Sequence, residues 1–338
     1  MVLDGPGKTL TSAPAPAAPI AVSVQSLSKR FGRTLALDEI SLDIQAGETF
    51  ALLGPNGAGK STLMGILCTI LQADSGTATV LGFDARRQPL QVRRQLGVVF
   101  QEPSLDNRLT VEENLEFHGL LYDVPQTLRR QRITDLLAMV ELSDVRQRLV
   151  RTLSPGMRRR VEIARALVHD SRVLILDEPT VGLDAQSRDR IWEYLAEARR
   201  QRDLTMIVST HYIEEVDACD RVCIVDRGKV LALDTPDALR DRHGHEIIRV
   251  RPRDAATETA ILGAHAEATR LASGEIAIPS PGSSEAMIDA LLSRHGNSIR
   301  NLSFERPSLE TVFLNLTGRD LREAKPGDPA QAARPSAR

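Results

Sequence analysis

The stretch "GPNGAGKST", residues 54–62, constrains this chain more than any other. It fits G-x-x-x-x-G-K-[ST] and lies after the apolar run "ETFALLG" and before the helical pattern "STLMGILCTIL", which is the context that the motif needs. The run Gly54, Pro55, Asn56, Gly57, Ala58, Gly59, Lys60, Ser61 and Thr62 is therefore assigned to nucleotide binding. Its glycines let backbone N–H groups curl around a triphosphate, Lys60 can reach the β and γ phosphates, and Ser61 can offer its hydroxyl to Mg²⁺. A glycine-rich turn that binds nothing is the plain alternative.

Further on, "VLILDEP" places Asp177 and Glu178 at the end of an apolar run. The first carboxylate can hold Mg²⁺ through water, and the second can polarise an attacking water. Read alone, the pair could be an acidic turn that ends a strand; with a phosphate cradle upstream, two acids with two roles fit better.

The runs "ETFALLG", "LGVVFQ", "RVLILDE", "TMIVST" and "RVCIVDRG" are short and rich in β-branched residues, with helical patterns between many of them. That alternation predicts an α/β domain with a mainly parallel sheet. Residues 102–152 break it: "TVEENLEFHGLLY" and "ITDLLAMVELSD" read as successive amphipathic helices, and the helical subdomain is expected over about 102–170. After residue 243, "EIIRVRP", "ATETAILGAH", "TRLAS", "EIAIPS", "SEAMIDALLSRHG" and "IRNLSFE" read as βαββαβ, which predicts a small α+β accessory domain of ferredoxin-like order over 244–320. The Ala/Pro-rich leader, 1–20, and the tail, 321–338, have the composition of disordered ends.

At 338 residues, 42% hydrophobic and 26% charged, the chain is long enough for about two folded domains. A net charge of −2 gives no bulk case for nucleic acid or an acidic membrane surface, although Arg158, Arg159 and Arg160 form a local basic run. Cys68, Cys219 and Cys223 make neither a disulfide framework nor a four-ligand metal pattern and read as buried thiols in a reducing compartment. The most apolar stretch, "LMGILCTIL", is far below the roughly 18 residues that span a bilayer, so membrane work is expected to need a partner chain.

In "LSPGMRRRVEIARAL", Ser154 is a good N-cap, Pro155 suits the first helical position and Gly156 permits close approach to the backbone. Such a helix start attracts an anion. Without one, it is a capped surface helix with a solvated arginine run.

Together these stretches resemble the nucleotide-binding subunit of an ABC transporter over about residues 22–240, through "GPNGAGKST", the Q-loop "VFQEPSLD", the signature-like "LSPGM", "LILDEP", the D-loop "GLD" and the switch "STH". The resemblance implies a P-loop NTPase fold, with a RecA-like core and a helical subdomain, that hydrolyses ATP with Mg²⁺. Ser61, Asp177 and Gln101 would serve the metal, and Gln101 would also link metal and water to the membrane partner. Glu178 would be the base, His211 would touch the γ-phosphate, Asp184 would contact the opposite subunit and Phe31 in "SKRFG" would stack on adenine. Each has a plain alternative: a turn Gln, a strand-end His, a helix-capping Asp and a core Phe.

Ser154, Pro155, Gly156 and Met157 stand where the family usually has "SGGQ". Proline removes one backbone donor, leaving the Ser154 hydroxyl and the Gly156 N–H to meet the γ-phosphate held by the other subunit. Within the family, "GFDARRQPLQVRRQLGVVFQEPSLDNRLTVEENL" and "FERPSLETVFLNLTGR" look most like the daunorubicin-resistance and nodulation-factor exporters. That likeness implies a homodimer or heterodimer, peripheral on the cytoplasmic face of the membrane beneath a separate permease. Leu309, Val312, Phe313 and Leu316 make an apolar stripe at helical spacing, read first as core and second as a dimer contact.

Other functions fit less well. A DNA-repair or chromosome-organising ATPase would part the cassette halves with a coiled coil, and neither heptads nor a basic, aromatic-interleaved stripe occurs, so no nucleic acid is expected. A translation factor of this class carries two cassettes, and a catalytically dead regulator would lack Glu178 or His211.

Overall fold

The computed structural model describes residues 19–244, 246–271, 273–280 and 284–317; residues 1–18 of the expected leader and all of the expected tail lie outside the described residues. The chain opens with a hairpin of β1 (Ile20–Phe31) and β2 (Thr34–Gln45). The wholly buried β3 (Thr49–Leu53) runs through the glycine-rich turn into α1 (Lys60–Leu67). Then β4 (Ser75–Val80) and β5 (Phe83–Asp84) return to the hairpin, completing an antiparallel sheet of order β2-β1-β4-β5. This sheet was not expected from the sequence, because register shifts after Val24 and Leu27 break the two-residue apolar period of β1.

Next come α2 (Pro89–Gln95) and β6 (Leu96–Val99). The helical insert follows as α3 (Val111–Leu121), α4 (Gln126–Met139) and α5 (Pro155–Leu167), the first opened by a capping box between Thr110 and Glu113. The chain continues through β7 (Val173–Asp177), α6 (Ala185–Arg202), β8 (Thr205–Thr210), α7 (Ile213–Val216), β9 (Arg221–Asp226), β10 (Lys229–Asp234) and α8 (Pro236–His243).

The central sheet has the order β10-β9-β3-β8-β7-β6 and is parallel except at the β9–β10 edge, as the alternation of runs predicts. Burial on both faces explains why β3, β7, β8 and β9 read as unbroken apolar runs. Register puts Leu53 beside Thr210 and Asp177 beside Ser209. The glycine-rich turn, the acid pair and His211 therefore leave the sheet along one edge.

The accessory elements are β11 (Glu246–Pro252), α9 (Ala255–Ala264), β12 (Thr269–Arg270), β13 (Ile276–Ser280), α10 (Ser284–His295) and β14 (Ile299–Glu305), which form an antiparallel sheet of order β12-β13-β11-β14. "TRLAS" keeps only a two-residue strand. Ile248, Val250, Ile276 and Ile278 of the sheet share a core with Ile261 of α9 and Leu291 of α10.

The last described helix, α11 (Leu309–Thr317), packs on both units, with Leu314 buried against Ile247 of β11 and Ala277 of β13. Its Leu309, Val312 and Phe313 are buried with Leu53, Val216, Val222, Ile224 and Leu239 of the first unit. The apolar stripe is thus core packing, and it closes the side of the central sheet beside β3 and α7. Phe313 is 1% exposed. We predict that Phe313→Ala lowers stability by about 3–5 kcal/mol through the cavity it leaves. Urea unfolding checks this; an unchanged midpoint would show that α11 is dispensable to the core.

Candidate nucleotide site

Immediately after β3 the backbone turns on itself: Ala58 N donates to Pro55 O at 3.2 Å, and Gly57 and Gly59 have φ of +83° and +108°. A Cβ at Gly59 would lie 2.6 Å from the carbonyl oxygen of Ala36, so glycine is what lets β2 close against the turn. Gly59 is also the N-cap of α1, and no side chain caps that helix. An uncapped helix start next to curled N–H groups is suited to an anion. Asn56 and Ser61 are exposed and Thr62 is half-buried in the first turn of α1.

Lys60 is turned inward. Its ammonium donates to Gly54 O at 2.6 Å and Pro55 O at 3.1 Å and stands 3.8 Å from Glu178 Oε1. Burial pushes its pKa down, against the pull of the Glu178 and Asp177 charges.

Glu178 has a left-handed backbone, φ +48°, held where its N–H donates to Ser209 O (3.2 Å) and Ser209 Oγ (3.0 Å). Gln101 Nε2 donates to Glu178 Oε2 at 3.2 Å, and His211 Nδ1 lies 3.3 Å from Oε1. Burial raises the Glu178 pKa, but the His211 hydrogen bond and the Lys60 charge outweigh it and hold the carboxyl below its ordinary value. Asp177 accepts from Ser61 Oγ at 3.3 Å and from Ser209 Oγ. One contact network thus joins Lys60, Ser61, Gln101, Asp177, Glu178 and His211.

Ser61, Asp177 and Gln101 offer hydroxyl, carboxylate and amide oxygens, a hard donor set that fits Mg²⁺ once phosphates supply the remaining ligands. Among the described residues, no cluster of His, Cys, Asp and Glu suits a metal held by protein alone. The three cysteines are free and buried.

Ser154 caps α5, accepting from Met157 N at 3.2 Å, which leaves its hydroxyl hydrogen and the Gly156 N–H unspent. Asp184 caps α6 through Ser187 N (2.9 Å). The two helix starts border one notch of about 290 Å³, between Ser154, Gly156 and Met157 on one side and Gln186 and Ser187 on the other. None of these residues bonds to the acid pair of its own chain. Phe31 ends β1 half-buried, with Lys29 Nζ 5.4 Å from its ring centre, rather than inside the core.

The arginine run is not a solvated face. Arg159 is 7% exposed and Glu162 is 2% exposed. The Arg159 guanidinium donates to Glu162 Oε2 (3.0 Å), Phe100 O (2.7 Å) and Glu178 O (3.2 Å), while Ser104 N donates to Glu162 Oε1 (2.9 Å). It thereby ties α5 to the strand ends bearing Gln101 and Glu178. Arg158 and Arg160 also turn back, to Arg151 O (3.0 Å) and Val140 O (3.1 Å). Glu215 of α7, buried, accepts from Thr180 and from Thr210 (2.6 Å) and so clamps the loop after Glu178 to the residue before His211. Sequence reading missed Arg159, Glu162 and Glu215; the one available signal was charge at apolar-face positions of their helices.

A parallel sheet whose edge gathers a glycine cradle, an inward lysine and two acids defines a P-loop ATPase. The ABC transporter family model matches residues 37–181. Daunorubicin/doxorubicin resistance ATP-binding protein DrrA of Streptomyces peucetius is 38% identical over 313 residues, 88% of this chain and 92% of that protein. Nod factor export ATP-binding protein I of Burkholderia lata is 38% identical over 311 residues, 91% of this chain and all of that protein. A solved dimeric ATP-binding cassette in a post-hydrolysis state, bound to ADP and Pi, is 28% identical with a TM-score of 0.58, over 63% of this chain and 98% of that one. The chain belongs to the ATP-binding proteins of ABC transporters, and it is an ATPase of the cassette class.

Removing one charge from the α5 pair strands the other in the interior. Arg159→Met should cost about 3–5 kcal/mol, and adding Glu162→Met should recover much of it. Denaturant titration of the single and double variants checks this; equal midpoints for both would show that the pair is not coupled.

Proposed function

We propose that this chain hydrolyses ATP as the motor subunit of an exporter, closing as a dimer on the cytoplasmic face of the membrane and driving a separate permease. The observation that carries this is the contact network at the sheet edge, in which Lys60, Ser61, Gln101, Asp177, Glu178 and His211 meet. The names of the relatives, drug resistance and Nod factor export, favour outward transport. No helix among the described residues is long and apolar enough to cross a membrane, which supports a partner chain for the crossing. Exposed Phe117, Leu120 and Leu121 of α3 offer that partner an apolar surface.

The cycle follows from the charges. Residues 54–62 wrap the phosphates, and Lys60 exchanges its carbonyl partners for β and γ oxygens. Phe31 stacks on the adenine. Ser61, Gln101 and Asp177 would hold Mg²⁺, which would supply charge neutralisation at the phosphates. Glu178, kept ionised by His211 and Lys60, accepts the proton of the attacking water, and His211 meets the γ-phosphate. Ser154 and Gly156 of the second subunit supply donors to the far side of that phosphate, and Asp184 contacts the same partner. Pro155 and Met157 shape that helix start without adding a side-chain donor. The run Arg158, Arg159 and Arg160 turns inward and so offers nucleic acid no basic surface.

Glu178→Gln keeps the size of the side chain but carries no charge and cannot take the proton. We predict preserved ATP binding, turnover lower by about a hundredfold or more, and an ATP-bound dimer that accumulates. Phosphate release and sedimentation measure these outcomes; near wild-type turnover would assign the base elsewhere.

A further inference from the structure

Outside the nucleotide site, one surface carries four arginines that form no ion pair with a described residue. Arg86 and Arg87 lie in the turn between β5 and α2, and Arg93 and Arg94 in the last turn of α2; all four are exposed. The backbone N–H groups of Arg86 and Arg87 donate to Asp84 at 2.8 and 2.7 Å, which fixes the turn and leaves their guanidinium groups outward. Arg93 donates to Thr69 Oγ1 at 2.6 Å and so brings α2 against the end of α1.

Apolar side chains stand among these charges. Leu90 shares a face of α2 with Arg93 and Arg94 by helical spacing and is 68% exposed; Ile70, next to Thr69, is 60% exposed. Beside them runs a groove of about 540 Å³, with Ile66, Leu71 and Ala78 among its floor residues and Arg86, Arg87 and Arg93 on its rim. Asp84 is the acid in that lining, and its carboxylate is already engaged by the turn. The chain as a whole carries −2, so the patch is local rather than a sample of a basic surface.

We propose that this patch rests on anionic phospholipid headgroups, with Leu90 and Ile70 entering the interface between headgroups and acyl chains. A cluster of cations around apolar side chains matches a negatively charged leaflet, where each arginine contributes roughly fivefold to partitioning. A permease surface is the poorer occupant, because the short cytoplasmic loops of membrane proteins carry an excess of Lys and Arg and would repel four more positive charges. Contact with lipid here holds the ATPase against the membrane independently of nucleotide and of the permease.

The test is sedimentation of the full-length protein with vesicles of phosphatidylcholine alone and of phosphatidylcholine mixed with phosphatidylglycerol. The wild-type protein is expected to pellet with the mixed vesicles and not with the neutral ones, and to be released by added salt but not by millimolar inorganic phosphate, which would compete only at a small-anion site. Arg86→Gln, Arg87→Gln and Arg94→Gln together, none of whose side chains makes a polar contact with a described residue, should weaken the binding by about a hundredfold while ATP retention stays at the wild-type level. Leu90→Gln should weaken it several-fold without changing its salt dependence. Equal binding to both vesicles, release by phosphate, or a triple variant that binds like wild type would overturn the proposal. The nucleotide reading stands or falls separately, on ATP retention in the same samples.

Discussion

Lys60 and Glu178 face each other at 3.8 Å, both less than a tenth exposed, and the rest of the sheet edge is arranged around that fact. Moving two charges from water to such a place costs several kcal/mol per ion, and their attraction alone does not offset it. The remaining compensation comes from backbone and side chains at separate strand ends: the carbonyls of Gly54 and Pro55 for the ammonium, and Gln101 and His211 for the carboxylate. Those groups meet because β3, β6, β7 and β8 are parallel and in register, so their C-terminal ends fall on one line.

Two buried ties then hold that line in place. Arg159 and Glu162 bind α5 to the carbonyls beside Gln101 and Glu178, and Glu215 binds α7 to both Thr180 and Thr210. Helix α5 therefore has one end in the notch at Ser154 and, little more than a turn later, a side chain on the main chain of Glu178. A phosphate arriving at Ser154 would press on an element already bonded to the opposite site of the same subunit. On the far side, α11 seals β3 and α7 with Phe313 and so supports the strand that leads into the glycine-rich turn.

How much of this was legible in the sequence depended on how local each feature is. The phosphate turn and the acid pair are contiguous, and their flanking runs report the strand and helix that the chemistry needs. The central sheet was legible for the same reason: burial on both faces leaves unbroken apolar runs. The β1–β2 hairpin was not, because bulges scramble its alternation. Arg159 looked like one of three surface arginines, since only tertiary structure brings Phe100 and Glu178 to it. The stripe at Leu309, Val312 and Phe313 announced core packing but not whose core, and a helix following the accessory strands proved to pack on the first unit.

In the proposed function, a second set of donors for the γ-phosphate comes from Ser154 and Gly156 of another copy. The most direct measurement uses mixed dimers in the Glu178→Gln background, one chain also carrying Lys60→Ala and the other Ser154→Arg. If the site is shared between chains, both lesions fall in one site and the other pairs an intact Lys60 with an intact Ser154. Filter-retained ATP should then reappear in the mixture although neither variant retains it alone, once heterodimers are verified by crosslinking. If Ser154 serves the nucleotide of its own chain, every subunit carries a lesion in its only site, and a mixture that traps no more ATP than its parents would contradict the shared site.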